Sequence, residues 1–310
     1  MSLPISVLMT VYNSEKFLKE SIMSVLNQTF SDFEFIIIND GSSDRSLEII
    51  QDFEKQDKRI RVINKKNTGV TNSLNFGVFL AKGDWIARID ADDLCDINRL
   101  KIQYEETSHD RSLVLLGANC IEINDTGIKK KIHKYCLKHQ DLKNNLLGLK
   151  KFFPHSSYFI RTSAIKKING YRECIKRSQD FDLSLRLSQI GKLKCIDLPI
   201  VSIRKHKNQV SHEENGYRSF LYARIGLFSY LIKESGMEDP LDKKNLSTDY
   251  DKFEQFIDKE FKTFFLINSN KSNFLFDLLK KFQFIRDTFF ILYNRDKILK
   301  KWFKYNFNSN

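Results

Sequence analysis

Apolar residues recur with two different periods along the first third of the chain, and the alternation between them predicts the fold. Ile5 to Val11 is a short β-rich run; after Asn13 or Ser14, either of which is a good N-cap, Leu18, Ile22, Val25 and Leu26 follow at helical spacing. Phe33 to Asn39 is apolar through Phe35-Ile36-Ile37-Ile38, as a strand buried on both faces would be, and Asp40-Gly41-Ser42-Ser43-Asp44 reads as a turn. A second helix is predicted from Ser43 or Asp44 through Leu47, Ile50 and Phe53. Arg59 to Asn64 then reads as a strand, Val70 to Ala81 as a helix, and Trp85 to Ile89 as a strand ending at Asp90. Strands alternating with helices imply right-handed crossovers and an α/β fold with a mostly parallel sheet flanked by helices. Such sheets bind ligands at the carboxyl ends of their strands. Thr10 to Asn13, Asn39 to Asp44, Asn64 to Gly69 and Asp90 to Asp93 close these strands with polar residues and are expected to face one crevice.

Val114 to Ile121 suggests a further strand, after which the pattern fades through the basic stretch Lys129-Lys130-Lys131. It recovers in a strand-like segment from Pro154 to Arg161 and in a helix from Asp180 to Ile190. From Tyr217 onward Gly and Pro almost vanish, Phe and Lys abound, and the apolar spacing is helical. Leu278, Phe282, Ile285, Phe289, Leu292, Leu299 and Phe303 fall on one stripe, interrupted at Asp296. A domain over residues 1–216 and a helical, basic and aromatic C-terminal region over 217–310 are therefore expected.

Composition narrows the class. The 310 residues carry 51 Lys or Arg against 39 Asp or Glu, a net charge of +12, and 41 % are apolar, enough for a sizeable core. No apolar run approaches the ~20 residues of a spanning helix, and no basic region precedes the short apolar stretch at the N-terminus, so neither a spanning nor a secreted protein is expected. Cys95, Cys120, Cys136, Cys174 and Cys195 are scattered without CxxC spacing, which disfavours disulfide frameworks and zinc clusters. GxGxxG and GxxxxGK[ST] are both absent, which argues against a dinucleotide cofactor and a P-loop.

The candidate chemistry is acidic. Ile89-Asp90-Ala91-Asp92-Asp93 places three carboxylates in four positions at a strand end. Packed so closely they repel, and each raises its neighbours' pKa unless a cation sits among them. Oxygen ligands select a hard ion, Mg2+ or Mn2+, and a site with few carboxylates keeps positions open for a diphosphate. A solvated acidic turn is the plain alternative; the strand-end position favours the metal. Asp40 closes an earlier strand on the same edge, where it is either part of a tight turn or a hydrogen-bond partner for a nucleobase.

Segments Pro4 to Asn13, Ile36 to Asp44, Asn67 to Asn75, Lys82 to Asp93 and Arg177 to Leu187 resemble, in order and spacing, the inverting nucleotide-sugar glycosyltransferases of family 2, which have the GT-A fold. The resemblance covers about residues 4 to 210, and it is to the bacterial surface-glycan type. It implies a nucleotide-binding half at about 1–120 and an acceptor half at about 121–216. Thr10, Val11 and Tyr12 would line the nucleobase and ribose pocket, with Asp40 reading the base and Asn75 on the donor side. Asp90 and Asp92 would form the DxD pair, Asp90 near the ribose and Asp92 on the metal, with Asp93 in support or on the acceptor side. Asp180 matches the family's general base, although Gln179 replaces the acid that usually precedes it. Asp180 could also be a helix N-terminal carboxylate favoured by the dipole. Arg204 and His206 occupy a tyrosine-arginine-x-histidine position, which makes His206 a further metal or diphosphate contact or, more plainly, a surface histidine in a basic loop. Leu74 stands where many relatives have Arg, which shifts diphosphate neutralisation onto the metal and other cations.

The implied function is metal-dependent, inverting transfer of a sugar from a nucleotide-sugar, UDP-linked, to a hydroxyl of a saccharide or lipid-linked glycan in surface polysaccharide synthesis. An inactive GT-A scaffold and a sugar nucleotidyltransferase are the alternatives. From Lys271 to Asn310 nine Lys or Arg oppose three Asp, and eleven aromatics share the segment, so it could lie on an anionic membrane or form a packed helical subdomain. The cytoplasm, or the inner face of the cytoplasmic membrane, is the expected place. No nucleic-acid recognition motif accompanies the charge, so nucleic acid is not an expected partner.

Overall fold

The computed structural model describes residues 3–206 and 216–234 together with Asp239 and Leu241. The stripe predicted between Leu278 and Phe303 lies outside the described residues.

The first half follows the predicted alternation. β1 (Ile5–Val11), α1 (Glu15–Leu26), β2 (Phe33–Asp40), α2 (Ser46–Gln56), β3 (Ile60–Lys65), α3 (Val70–Leu80) and β4 (Trp85–Asp90) succeed one another. The strands pair in parallel in the order β3-β2-β1-β4. Successive side chains of a strand point to opposite faces, so one strand feeds two cores. Val7, Met9 and Val11 of β1 and Phe35 and Ile37 of β2 pack with Leu18, Ile22, Ile50 and Phe53 of α1 and α2. Leu8, Ile36 and Ile38 turn to the other face, against Leu74 and Val78 of α3.

Helix starts here rest on reciprocal contacts between two elements. Glu15 N–H donates to Asp44 Oδ2 at 3.0 Å and Arg45 N–H donates to Glu15 Oε2 at 2.9 Å, so the N-termini of α1 and α2 cap one another. α2 accordingly begins at Ser46, two to three residues beyond the predicted start, with Asp44 accepting the Ser46 N–H.

Beyond β4 the chain runs through β5 (Leu94–Cys95), α4 (Arg99–Thr107), β6 (Leu113–Asn124), β7 (Lys129–His133), α5 (His139–Leu147), a 3-10 turn (His155–Ser157), β8 (Phe159–Arg161), α6 (Thr162–Lys167), α7 (Gln179–Ser188), β9 (Lys192–Lys205) and α8 (Gly216–Glu234). The sheet continues β4-β8-β6-β9-β5 and becomes mixed: β8 is antiparallel to both β4 and β6, while β6 and β9 are parallel. The segment expected to be a strand from Pro154 is a strand only from Phe159; the 3-10 turn before it sets Ser156 under the end of β4. Leu221, Ile225, Phe228 and Ile232 of α8 join the core that holds Leu183, Leu185 and Leu187 of α7. Among the described residues no helix is long and apolar enough to cross a membrane.

Candidate active site

Two successive polar strand ends meet a helix N-terminus. Asp90 closes β4, and the backbone turns at once so that Asp93 N–H bonds Asp90 O at 3.3 Å. Ligand oxygens of Asp90, Asp92 and Asp93 lie within 4.8 Å of one another. Asp93 faces inward, 3 % exposed, accepting Ser156 Oγ–H at 2.5 Å and Arg204 N–H at 2.8 Å. Burial first, then the charges of Asp92 and Asp90, push its carboxyl well above the usual carboxylate range. Asp92 is raised too, by burial and then Asp90, against the opposing pull of His206. Asp90 is clamped by both terminal nitrogens of Arg88.

Arg88 is a cation on an otherwise apolar buried strand. Its guanidinium also reaches Ser156 Oγ at 3.2 Å, and Asp90 more than offsets the burial that disfavours its charge. Arg88 and Ser156 were not among the expected site residues; the anomaly of Arg88 within Trp85–Asp90 was the available signal. His155 and Tyr171 are a second addition. His155 Nε2 and Tyr171 Oη are 2.8 Å apart, and burial together with Arg88 holds His155 far below its ordinary pKa, hence neutral.

The carboxylate cluster fits a hard divalent cation. Two ligands about 2.1 Å from one ion at a right angle stand about 3 Å apart, and His206 Nε2 lies 2.9 Å from Asp92 Oδ2. β9 delivers that histidine, and its ring packs on Phe17 of α1 at 4.9 Å between centroids. Arg204, two residues earlier, is fully buried; it donates to Asp92 O at 2.9 Å and Glu20 Oε2 at 2.6 Å, pinning the end of β9 to the acidic turn.

Asp180 is in the first turn of α7, half-buried, and its backbone carbonyl accepts Ser184 Oγ–H at 2.8 Å and Tyr158 Oη–H at 3.3 Å. Burial pushes the Asp180 carboxyl upward; the Phe181 N–H and the Arg88 guanidinium pull it back, and the net shift is up. Arg88 thus acts electrostatically on the acidic turn and on Asp180 together. Ser178, directly before α7, holds a left-handed φ of 53°, unusual for a residue with a Cβ, while its hydroxyl donates to Ser219 O of α8 at 2.8 Å.

The remaining expected residues fall as follows. Val11 is a core residue, so it can offer a ligand only its backbone, whereas Tyr12 is 54 % exposed and Thr10 half-buried at the same strand end. Asp40 accepts Lys65 Nζ and the Thr68 and Gly69 N–H groups, both at 2.9 Å. Burial would raise its carboxyl, but these donors outweigh it and the net shift is down. Asn75 bonds both backbone groups of Tyr171, accepting its N–H at 2.7 Å and donating to its carbonyl at 2.8 Å, so its amide clamps the segment before α7 onto α3.

The Glycosyl transferase family 2 pattern matches residues 6–168, more than half of the chain. An uncharacterized glycosyltransferase of Haemophilus influenzae is 32 % identical over 231 residues, 68 % of this chain and 69 % of that protein. A chondroitin synthase of Pasteurella multocida is 28 % identical over 192 residues, 61 % of this chain but 19 % of its own length. Among solved structures, S. aureus TarS 1–349 in complex with UDP-GlcNAc shares the fold with a TM-score of 0.61 at 18 % identity, covering 74 % of this chain and 66 % of that one. The sheet with its acidic turn at the carboxyl edge and the family match over residues 6–168 lead to one assignment: the chain belongs to glycosyl transferase family 2.

Proposed function

We propose that this chain is an inverting, divalent-metal-dependent glycosyltransferase that moves a sugar from a UDP-linked donor to a hydroxyl of a saccharide or lipid-linked glycan acceptor in surface polysaccharide synthesis. The observation that carries the reading is the Asp90–Asp92–Asp93 cluster at the end of β4, held through Asp90 by Arg88, with Asp180 in the first turn of α7. The chondroitin synthase relative and the UDP-GlcNAc-bound TarS structure support the donor and the glycan product.

Asp92 and His206, with Asp90 beside them, would hold Mg2+ or Mn2+; bound there, the ion would supply positive charge against the negative charge developing on the departing diphosphate. Thr10, Tyr12 and the backbone of Val11 would frame the nucleoside with Asp40. Asp180 would accept the acceptor hydroxyl's proton as that oxygen bonds the anomeric carbon from the face opposite the breaking carbon–phosphate-oxygen bond, which inverts the centre. Arg88 fixes the Asp90 carboxylate, and Arg204 fixes the turn that carries Asp92.

A thermal-shift screen of UDP-, GDP- and CMP-sugars with Mn2+ or Mg2+ tests this. A ligand at about 100 times its Kd stabilises a fold by about 2.7 kcal/mol, so a UDP-sugar should raise the Tm by several degrees and chelator should abolish the rise. Asp92→Ala is expected to lose the metal-dependent part of that shift. A UDP-sugar shift that survives chelator unchanged would remove the metal from the reading, and pyrophosphate release from a sugar phosphate would identify a nucleotidyltransferase instead.

A further inference from the structure

The β6–β7 hairpin presents an unusual surface. β7 pairs with Cys120–Ile123 of β6 along one edge, and Lys129, Lys130 and Lys131 on it are all exposed, as are Lys134 and Lys138 just after. Among the described residues no carboxylate lies within 4.0 Å of these five ammonium groups. Glu122, opposite Lys131 in the ladder, is taken by His133 at 2.9 Å, whose other ring nitrogen accepts Lys151 Nζ–H at 2.9 Å. Interleaved with the lysines are exposed aliphatics: Ile128 is 60 %, Ile132 55 % and Leu137 39 % exposed.

Lysines alone would suit the guarding of an edge strand, and a soluble polyanion would satisfy them too, but neither covers the isoleucines. An anionic lipid surface matches both halves of the pattern, headgroups meeting the ammonium groups and the acyl boundary meeting the aliphatic side chains. The hairpin is also tied to the catalytic edge. Arg204 donates to Asp125 O in the hairpin turn at 3.2 Å and to Asp92 O at 2.9 Å, so one buried side chain bridges the hairpin and the acidic turn.

We propose that the β6–β7 hairpin, with the chain through Lys138, is a membrane-contact surface that docks on anionic lipid beside the catalytic crevice. It would hold the crevice at the headgroup level, where a lipid-linked acceptor presents its hydroxyls while a water-soluble donor enters from the other side. The docking deepens the glycosyltransferase reading by naming the acceptor's setting, but lipid binding itself does not depend on it.

The test is co-sedimentation of the full chain with extruded vesicles of phosphatidylcholine alone or mixed with phosphatidylglycerol, without donor, alongside the UDP-sugar thermal shift. Binding should require phosphatidylglycerol and weaken with salt. Replacing Lys129, Lys130 and Lys131 together by Gln should lower the partition coefficient on the order of 100-fold, and Ile128→Ser with Ile132→Ser about tenfold, with the UDP-sugar shift unchanged in both. The proposal is overturned if wild type ignores anionic vesicles, or if the lysine variant partitions like wild type, which would place binding elsewhere in the chain. It is equally overturned if soluble polyphosphate binds the lysines while the isoleucine variant keeps full vesicle affinity. Vesicle binding without any UDP-sugar shift would count against the glycosyltransferase reading and leave the docking surface standing.

Discussion

Asp180→Asn is expected to lower sugar transfer by on the order of 10²–10⁴-fold, the usual worth of a positioned base, while UDP-sugar binding stays close to wild type. The amide keeps the size of the carboxyl and its place in the first turn of α7, so the backbone bonds from Ser184 and Tyr158 persist. The donor-side groups expected to hold the nucleotide, at the ends of β1, β2 and β4, are untouched. A base must be ionised to act, and burial has raised the Asp180 carboxyl. kcat/KM should therefore fall as pH drops through that raised pKa and level off above it, and the residual activity of the Asn variant should lack this acidic limb. Arg88 and the Phe181 N–H oppose the rise without cancelling it, so the limb lies above that of an ordinary aspartate. Near-normal turnover in Asp180→Asn would remove Asp180 from the role of base. Loss of transfer and of donor binding in equal measure would make it structural.

The parallel half of the fold was legible because β1, β2 and β4 are short, largely apolar and bounded by turn residues, and they lie within a residue of their predicted bounds. The acidic turn was legible for the same reason, since a carboxylate cluster at the end of a buried strand has few other uses. The second half resists such reading because long-range pairing, not local periodicity, decides it. β9 alternates irregularly, carries Pro199 and three register shifts against β6, and is a strand chiefly because β6 lies alongside. β7 is three lysines, an isoleucine and a histidine, which no apolar pattern marks, and only the ladder to β6 reveals it. Arg88 belongs to the site through its contacts to Asp90 and Ser156, the second 68 residues away and so without a local trace. Asn75 shows the converse: the motif position was legible, but its bonds to the Tyr171 backbone were not, because a contact between residues 96 apart leaves no local trace.

Asp182→Ala should unfold the protein more easily by about 3–5 kcal/mol, the cost of breaking a buried ion pair from one side, although Asp182 is only two residues from the candidate base. Its carboxylate is fully buried and accepts Arg186 Nε–H at 2.9 Å on one oxygen and Arg172 Nη1–H at 3.1 Å on the other. Arg172 continues to Ser229 Oγ of α8 at 2.7 Å and to Asp239 at 2.5 Å, so a single ionic chain joins α7, α8 and the segment beyond α8. Gly226 lets α8 pack directly on Asp182, since a Cβ there would stand 3.2 Å from the Asp182 Cβ and 3.3 Å from its Oδ1. Removing Asp182 takes from Arg186 its partner in the ion pair, and an unmatched buried guanidinium costs more than the pair contributes. Urea unfolding should show the loss as a lower midpoint at an unchanged slope. Asp180→Asn, by contrast, should unfold at or slightly above the wild-type midpoint, since it relieves a carboxyl that burial disfavours. The two neighbours then separate: one substitution moves the rate and spares the fold, the other weakens the fold that holds α7 in place. Equal midpoints for Asp182→Ala and wild type would show that the ionic chain through Arg172 and Arg186 contributes nothing net to stability.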